Sequence, residues 1–293
     1  MTKLIIGCGY LGQRVAAHYR ESGIGIVATV RSRSRARQLE QQGIKPLITD
    51  LGWPSLPPLP LAGSNLFYFV PPAAEGRSDP LSANMVNEFR RQGSPRRLVY
   101  LSTTGVYGDC AGDWVDESRA PSPVVPRALR RWDAEQTFRT WSRESGSELV
   151  ILRVAGFYGP GKLPLERLQR GLPMLREEEA PFSNRIHIDD LVRVCVAAMA
   201  RGRPGEIYNV SDGHPTTMTD YFDRIADLAG LARPPKISLS EAHEQLSSGM
   251  LSYLQESRRL VNTKMVDELS IRLQFPDLTS GLPACFPPLP DRP

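Results

Sequence analysis

The feature that most constrains the fold is the glycine-rich segment Gly7-Cys8-Gly9-Tyr10-Leu11-Gly12. It follows the apolar run Lys3–Ile6, which predicts a β-strand, and it leads into a helical pattern over Leu11–Ser22. In this context the first glycine permits a tight turn, the second lets a pyrophosphate approach the backbone, and the third allows close helix–strand packing. The start of the helix adds unpaired N–H groups and a positive dipole end. The segment therefore predicts a dinucleotide-binding loop.

The rest of the first half alternates between β-branched runs and amphipathic stretches, which is typical of βαβ units. Strands are predicted at Gly25–Val30, Lys45–Thr49, Asn65–Val70, Arg97–Ser102 and Glu148–Val154, and helices at Arg33–Gln42, Leu81–Gln92 and Arg127–Ser142. The proline-rich segment Pro54–Pro60 predicts a loop. The expected fold class is α/β, a doubly wound parallel Rossmann sheet with a smaller, interleaved C-terminal substrate region.

The pattern changes after Gly156, and this change suggests the domain boundaries. Residues 1–155 are expected to form the Rossmann NAD(P)-binding domain, with 184–212 returning to it. Residues 156–183, which look loop-like, and 213–293 are expected to form the C-terminal substrate-binding region. Further elements are predicted at Arg185–Ile188 and Glu206–Val210 as strands and at Asp189–Ala200 and Thr219–Ala229 as helices, with a frayed tail over Pro283–Pro293.

Composition argues against several classes of protein. Hydrophobic residues make up 41% and charged residues 23%, which are globular values, and no apolar run approaches the ~18 residues of a membrane span. The net charge is +4, but the basic residues do not interleave with aromatic ones, which disfavours a nucleic-acid partner. The four cysteines lack metal-ligand spacing, so no metal is expected. A strand that begins at Lys3 leaves no room for a signal peptide, so a cytoplasmic protein, monomer or homodimer, is expected.

The residues after the second strand indicate which cofactor is preferred. An acidic residue there would bind the ribose 2′-hydroxyl of NAD and repel the extra phosphate of NADP. The chain instead has Arg31 and Arg33, with no acid before Glu40. NADP is therefore expected, and NAD less so. The predicted cofactor contacts are Gly7, Gly9, Tyr10, Leu11, Gly12, Arg31, Arg33, Asp50, Val70 and Arg131.

Four further segments resemble one known family, the extended short-chain dehydrogenase/reductases of the NAD(P)-dependent epimerase/dehydratase group. They are Leu101–Gly108, Leu152–Gly161, Arg185–Leu191 and Tyr208–Asp212, and together with the glycine loop they cover about residues 1 to 230. The resemblance implies a nucleotide bound in the N-terminal domain and a small molecule, often a nucleotide-sugar, bound in the C-terminal one. It also places Thr103 where the family has the Ser/Thr that hydrogen-bonds the reacting oxygen.

The family's Tyr-x-x-x-Lys pair is missing from this chain. The two positions hold Arg127 and Arg131. Arg131 can still donate to ribose hydroxyls, but Arg127 cannot transfer a proton because a guanidinium stays charged at neutral pH. The Asp-Glu pair of the sugar-dehydratase variant is also absent, since Thr104 and Gly105 stand there.

Other side chains are therefore considered as proton donors. Tyr158 and His187 lie in motifs near the family's cleft, and Tyr107 is four positions after Thr103, although each also has a structural interpretation. Asp116 and Glu117 follow the fifth strand and either face substrate or lie in a solvated loop. The predicted catalytic set is Thr103, Tyr158, His187 and Arg131.

Two functions remain open on the sequence alone. The first is an NAD(P)-dependent epimerase/dehydratase-like oxidoreductase with non-standard catalytic residues that acts on an unidentified small molecule. The second is a non-catalytic NAD(P)-binding sensor or regulatory protein. The glycine loop supports both, the lost Tyr-Lys pair favours the second, and the retained C-terminal segments favour the first.

Overall fold

A seven-stranded, entirely parallel sheet forms the centre of the computed structural model, which describes residues 2–286. Its strands are β1 (Lys3–Ile6), β2 (Ile26–Val30), β3 (Lys45–Ile48), β4 (Asn65–Tyr68), β5 (Arg97–Thr103), β7 (Glu148–Val154) and β12 (Ile207–Val210). They lie in the order β12-β7-β5-β4-β1-β2-β3. The order reverses direction between β1 and β4, and in such sheets a ligand binds in the crevice at the carboxyl ends of the strands at that point. The predicted doubly wound fold is confirmed.

Helices cover both faces of the sheet. The helices found in residues 2–286 are α1 (Tyr10–Glu21), α2 (Arg33–Gln41), α3 (Pro80–Gln92), α4 (Pro126–Ser145), α5 (Leu165–Gln169), α6 (Ile188–Arg201), α7 (Met218–Ala229), α8 (Leu239–Gln245), α9 (Ser248–Leu254), α10 (Thr263–Glu268) and α11 (Leu278–Gly281). Apolar residues of α1, α2 and α6 pack on one face, and those of α3 and α4 pack on the other. Because both faces are covered, the strands are apolar along most of their length.

Short strand pairs build the C-terminal region. They are β6 (Trp114–Val115) with β15 (Arg259–Leu260), β8 (Gly156–Tyr158) with β11 (Arg185–His187), β9 (Met174–Leu175) with β14 (Lys236–Ile237), and β10 (Phe182–Ser183) with β13 (Thr216–Thr217). A separate apolar cluster joins Tyr158 to α5, α7 and α11. This second core lies next to the carboxyl edge of the central sheet, because β8 begins two residues after β7 ends.

The sequence-based boundaries differ from the structure in a few places. The segment 156–183 is not simply a loop, since it contains β8, α5, β9 and β10. These elements are two to five residues long, too short for hydrophobic periodicity to reveal. Ile188, predicted as strand, begins α6 instead. Within the predicted frayed tail, Pro283–Cys285 forms a 3₁₀ turn, and residues 287–293 lie outside the described residues.

Candidate active site

The chain turns at Gly7 immediately after β1. Its φ is +89°, and its N–H donates to Thr29 Oγ1 at 3.0 Å. A Cβ at this position would lie 2.8 Å from Val70 Cγ2 and 3.0 Å from the Val70 backbone nitrogen. Only glycine therefore fits, both for its backbone angle and for its contact with the residues that follow β4.

Of the other two glycines, Gly12 is tightly packed and Gly9 faces open space. A Cβ on Gly12 would lie 3.2 Å from the Gly7 carbonyl oxygen and 3.2 Å from Ile5 Cγ2, so α1 packs tightly on the loop and on β1. A Cβ on Gly9 would meet no atom within 4 Å. Gly9 also begins α1 without a side-chain cap, and the first turn holds no acidic residue. The uncapped start of α1 thus lies beside the open space at Gly9, which is the arrangement that binds a pyrophosphate.

Tyr10 connects this loop to the C-terminal region. Its hydroxyl donates to the Pro160 carbonyl at 2.9 Å, and its ring stacks on Phe157 with the centroids 6.5 Å apart. The Arg14 guanidinium lies 3.8 Å from the Tyr10 ring centroid. The neighbouring Leu11 side chain is buried in the core. The segment 157–160 therefore borders the glycine loop.

Two arginine side chains without ion-pair partners lie beyond the end of β2. Arg31 and Arg33 are exposed, and neither makes a hydrogen bond or ion pair within residues 2–286. Ser32 between them accepts from the Arg35 N–H at 3.3 Å and so caps α2. Beyond β3, Asp50 Oδ1 accepts from the Gly52 N–H at 2.9 Å in a tight turn. The end of β2 is thus positive and unpaired, as binding of a 2′-phosphate requires.

Thr103, at the end of β5, and the guanidinium of Arg131, from α4, lie at the carboxyl edge of the central sheet. Thr103 is the last residue of β5, and its Oγ1 accepts from the Gly105 N–H at 3.2 Å, which leaves its hydroxyl hydrogen available. Arg131 Nη1 donates to the Val70 carbonyl at 3.2 Å and to the Leu101 carbonyl at 3.1 Å. Arg131 therefore lies across the ends of β4 and β5, while its Nε and Nη2 make no hydrogen bond to the described residues.

Arg127, one helical turn earlier, is held by the segment around α9. Its Nη1 donates to Ser252 Oγ and its Nη2 to the Ser252 carbonyl at 3.1 Å. Its guanidinium carbon lies 3.9 Å from the Tyr253 ring centroid, and Glu256 Oε2 lies 4.0 Å from Nη2. The position that resembles the family's tyrosine is thus filled by a fixed cation that ties α4 to residues 252–256.

The predicted proton donors Tyr158 and His187 are both buried. Tyr158 is fully enclosed, its hydroxyl donates to the Asp277 carbonyl at 3.4 Å, and burial raises its pKa well above the usual range. His187 caps α6 by accepting from the Asp189 N–H at 3.3 Å, and burial lowers its pKa. The two rings pack edge to face, 5.3 Å apart. This geometry disfavours both as groups that exchange protons with a substrate.

The remaining candidates are engaged in structural contacts. Tyr107 is buried, and its hydroxyl donates to Asn209 Oδ1 at 2.7 Å. Glu117 accepts from the Asn209 N–H at 2.7 Å, and burial raises its pKa. Asp116 is exposed and accepts from Ser118. Residues 107–117 therefore brace the end of β12.

A buried ion pair that the sequence analysis did not identify lies beneath Thr103. Arg153 Nη2 donates to Glu135 Oε2 at 2.8 Å, and both side chains are at most 1% exposed. Ser102 Oγ donates to the other carboxylate oxygen, Glu135 Oε1, at 2.5 Å. The pair fixes β5, α4 and β7 to one another directly below the last residue of β5. Glu135 and Arg153 meet only because α4 packs on β7. No motif spacing in the sequence indicates this contact.

The described part of the chain shows neither a metal-binding cluster nor a membrane-crossing helix. Residues 2–286 hold no group of three or more His, Cys, Asp or Glu side chains arranged to bind a metal ion. None of the helices found there has the length and apolar character needed to cross a membrane.

Comparison with known proteins identifies the family. The family model described as NAD dependent epimerase/dehydratase matches residues 80–211. A solved structure of a functionally unknown conserved protein from Silicibacter pomeroyi DSS is 31% identical, with 97% of each chain covered and a TM-score of 0.83. The chain belongs to the NAD dependent epimerase/dehydratase family.

Other relatives of the family are more distant. Protein YeeZ of Escherichia coli (strain K12) is 29% identical over 182 residues, which are 62% of this chain and 59% of YeeZ. The match thus spans less than two thirds of that curated relative. A UDP-glucose 4-epimerase from Thermotoga maritima, solved with UDP-glucose, has 19% identity, a TM-score of 0.74 and 97% of each chain covered. At that identity the likeness to the epimerase shows the fold alone.

Proposed function

We propose that this protein is an NADP-dependent oxidoreductase of the epimerase/dehydratase type that acts on a small, nucleotide-sugar-like molecule. The observation that carries the proposal is the contrast among the three loop glycines. Gly7 and Gly12 have no room for a side chain, whereas Gly9 faces open space at an uncapped helix N-terminus. Packing explains why positions 7 and 12 are glycines, but it does not explain Gly9. A bound pyrophosphate, which needs the space beside Gly9, explains that glycine.

The preference for NADP is supported by the unpaired cations at the end of β2. Arg31 and Arg33 are exposed and free of partners in the described structure, and Ser32 already caps α2. A 2′-phosphate at this point would accept charge-assisted hydrogen bonds that NAD cannot offer. Asp50, whose Oδ1 accepts from the Gly52 N–H, would border the adenosine side of the cofactor.

When bound, the nicotinamide would accept or donate a hydride. The chain's own residues would then orient and polarise the reacting groups. Thr103 would donate its free hydroxyl hydrogen to the substrate oxygen, because its Oγ1 already accepts from Gly105. Arg131, fixed by the Val70 and Leu101 carbonyls, would offer Nε and Nη2 to the ribose hydroxyls. Substrate would bind against residues 156–183 and the part of 213–293 that the structure describes.

A non-catalytic sensor is the second candidate, and Arg127 is the observation that favours it. At the position where the family has its tyrosine, this chain has a cation held by Ser252 and Tyr253. A guanidinium transfers no proton at neutral pH, and Tyr158 and His187 are buried. A protein with this arrangement would bind the cofactor without turning over a substrate.

The first experiment measures NADPH binding by fluorescence titration of the wild type and Gly9→Val. The variant should fold, because no atom lies near the added Cβ, and should bind NADPH at least tenfold more weakly. Gly25→Val is the matched control, since its Cβ also meets no atom within 4 Å and the residue lies outside the loop. Equal affinity in wild type and Gly9→Val would contradict the cofactor site.

The second experiment separates the enzyme from the sensor. NADPH and NADP are incubated with the wild type and panels of aldehydes, ketones, alcohols and nucleotide-sugars, and cofactor absorbance is followed. Turnover by the wild type that falls ~10²-fold in Thr103→Ala would support the enzyme. Loss of one hydrogen-bond donor to the reacting oxygen has an effect of this size in other enzymes. Tight cofactor binding without turnover of any compound supports the sensor.

A further inference from the structure

Tyr253, on α9, packs against the side chain that occupies the family's tyrosine position. The Arg127 guanidinium carbon lies 3.9 Å from the centre of the Tyr253 ring, so the cation covers one face of the ring. Arg127 and Arg131 are four residues apart on α4 and project from the same side of that helix. Because Arg131 reaches the carboxyl ends of β4 and β5, this side of α4 faces the crevice. Tyr253, which packs on Arg127, therefore lies on the crevice side of α4.

The start of α4 also lies next to Thr103. A Cβ on Gly105 would lie 3.6 Å from the Cβ of Ala128, the residue after Arg127, and 3.6 Å from Thr103 Oγ1. The first turn of α4 therefore packs on the turn that follows β5. Arg127 and Thr103 belong to the same corner of the crevice, and the Tyr253 ring is the next group beyond Arg127.

Tyr253 also has the most available hydroxyl among the tyrosines. The chain has nine tyrosines, and all of them lie within residues 2–286. Seven are buried, and the hydroxyl of the half-buried Tyr10 donates to the Pro160 carbonyl at 2.9 Å. Tyr253 is 52% exposed, and its hydroxyl makes no hydrogen bond to any described residue. It is therefore the phenol that can exchange a proton with a bound molecule.

The charge of Arg127 is available to act on that phenol. Glu256 Oε2 lies 4.0 Å from Arg127 Nη2, but it already accepts from Arg258 Nη2 at 2.8 Å. Within residues 2–286 the Arg127 guanidinium donates to the neutral Ser252 alone. A cation within ~4–6 Å favours the ionised form of an acid. The guanidinium is therefore placed to stabilise the negative charge that remains on Tyr253 after loss of a proton.

We propose that Tyr253 is the proton donor of the reaction, so that this role has moved from α4 to α9. The role deepens the proposed function and rests on it. When a carbonyl compound is reduced, its carbon takes a hydride from the cofactor and its oxygen takes the Tyr253 proton. The O–H bond of Tyr253 breaks, and the phenolate that remains is stabilised by Arg127. Solvent then returns the proton, because Tyr253 is exposed. In the oxidation of an alcohol each transfer runs in reverse.

The first test measures whether Tyr253 faces the bound nicotinamide, and it needs no substrate. Tetranitromethane nitrates accessible tyrosines, and mass spectrometry follows the modification of Tyr253 in the free protein and in the protein saturated with NADP. Reacting groups in such complexes lie ~3–3.5 Å apart, so NADP should slow the nitration of Tyr253 about tenfold or more. Adenosine 2′,5′-bisphosphate is the matched control. It carries the 2′-phosphate but no nicotinamide, and it should leave the rate almost unchanged.

The second test measures turnover of a compound from the substrate panel. Tyr253→Phe keeps the ring on Arg127 and removes only an exposed hydroxyl, so the variant should fold and bind NADPH as the wild type does. Its turnover should fall ~10²–10⁴-fold, the usual contribution of general acid–base catalysis. Ser145→Ala, which removes an exposed hydroxyl at the far end of α4, should keep the turnover of the wild type.

Two results would overturn the role of Tyr253 and leave the cofactor site intact. One is an equal rate of nitration with and without NADP in a protein that binds NADP, and the other is equal turnover by Tyr253→Phe and the wild type. If no compound in the panel is turned over, the nitration result decides alone. Failure of NADP to bind the wild type would contradict the cofactor site first, and the role of Tyr253 with it.

Discussion

Arg127 and Ser252 are 125 residues apart in the sequence, yet the guanidinium donates to both the side chain and the carbonyl of Ser252. The Tyr253 ring adds a cation–π contact. These contacts join α4, which carries Arg131, to the short helix α9. Arg127, at the position that resembles the family's tyrosine, thus ties α4 to residues 252–253.

Arg127→Ala should therefore loosen α9 without disturbing the cofactor site. The lost hydrogen bonds and cation–π contact are worth roughly 1–3 kcal/mol, so amide exchange over residues 248–254 should rise about tenfold. Hydrogen–deuterium exchange with mass spectrometry measures this. Arg143→Ala, an exposed arginine in the last turn of α4, is the control. Unchanged exchange in Arg127→Ala would show that other contacts hold α9.

The buried pair of Glu135 and Arg153 gives a prediction about stability. Glu135→Gln leaves the Arg153 cation without its counter-charge in the core, and breaking a buried pair in this way costs about 3–5 kcal/mol. Urea unfolding should show this loss of free energy. Glu144→Gln removes one partner of the exposed Arg90–Glu144 pair and should cost less than ~1 kcal/mol. Similar losses in the two variants would contradict the role assigned to the buried pair.

Local sequence was sufficient for the central sheet and the glycine loop. Strand and helix periods, together with glycines at fixed spacing, are set by neighbours in the chain, and Gly7 and Gly12 have the tight surroundings that the spacing indicates. The short strands β8, β9 and β10 were missed because they form by pairing with distant residues, whereas β11 was predicted within Arg185–Ile188. Strands of two or three residues show no clear period on their own.

The same distinction between local and long-range contacts applies to the residues of the candidate site. Thr103 and Arg131 were placed from motifs, because the end of a strand and the first turns of the next helix are fixed locally. The burial of Tyr158 depends on α7 and α11, which pack on it from 60 to 120 residues away. The close approach of Arg185 to Gly156 depends on the parallel register of β8 and β11. No local pattern encodes either relationship.

The choice of cofactor is tested at Arg31. A charge-assisted contact to the 2′-phosphate is worth ~1.5–3 kcal/mol, so Arg31→Ala should lower the affinity for NADP tenfold or more and leave that for NAD almost unchanged. Calorimetry with both cofactors gives the ratio. Arg37→Ala, an exposed arginine further along α2, should keep the wild-type ratio. A wild type that binds NAD as tightly as NADP would remove the assignment of Arg31.

The last prediction follows from Asp212, whose pKa burial raises to about 7. Arg185, His214, Asp277 and Tyr158 surround it, and their charges are smaller influences than burial. Between the unfolded pKa of ~3.9 and 7, the folded protein holds a proton on this carboxyl that the unfolded chain has released. The contribution of Asp212 to stability is therefore complete below about pH 4 and is lost as the pH rises towards 7.

Asp212→Asn removes this dependence, because the amide keeps the bond from the His214 N–H and does not ionise. The free energy of unfolding of Asp212→Asn, measured relative to wild type in urea, should rise by about 2–3 kcal/mol between pH 5 and pH 8, since each pKa unit corresponds to ~1.4 kcal/mol. Asp267→Asn, at an exposed carboxyl on α10, should show no such trend. A difference between Asp212→Asn and wild type that stays constant with pH would contradict the raised pKa of Asp212 in the folded protein.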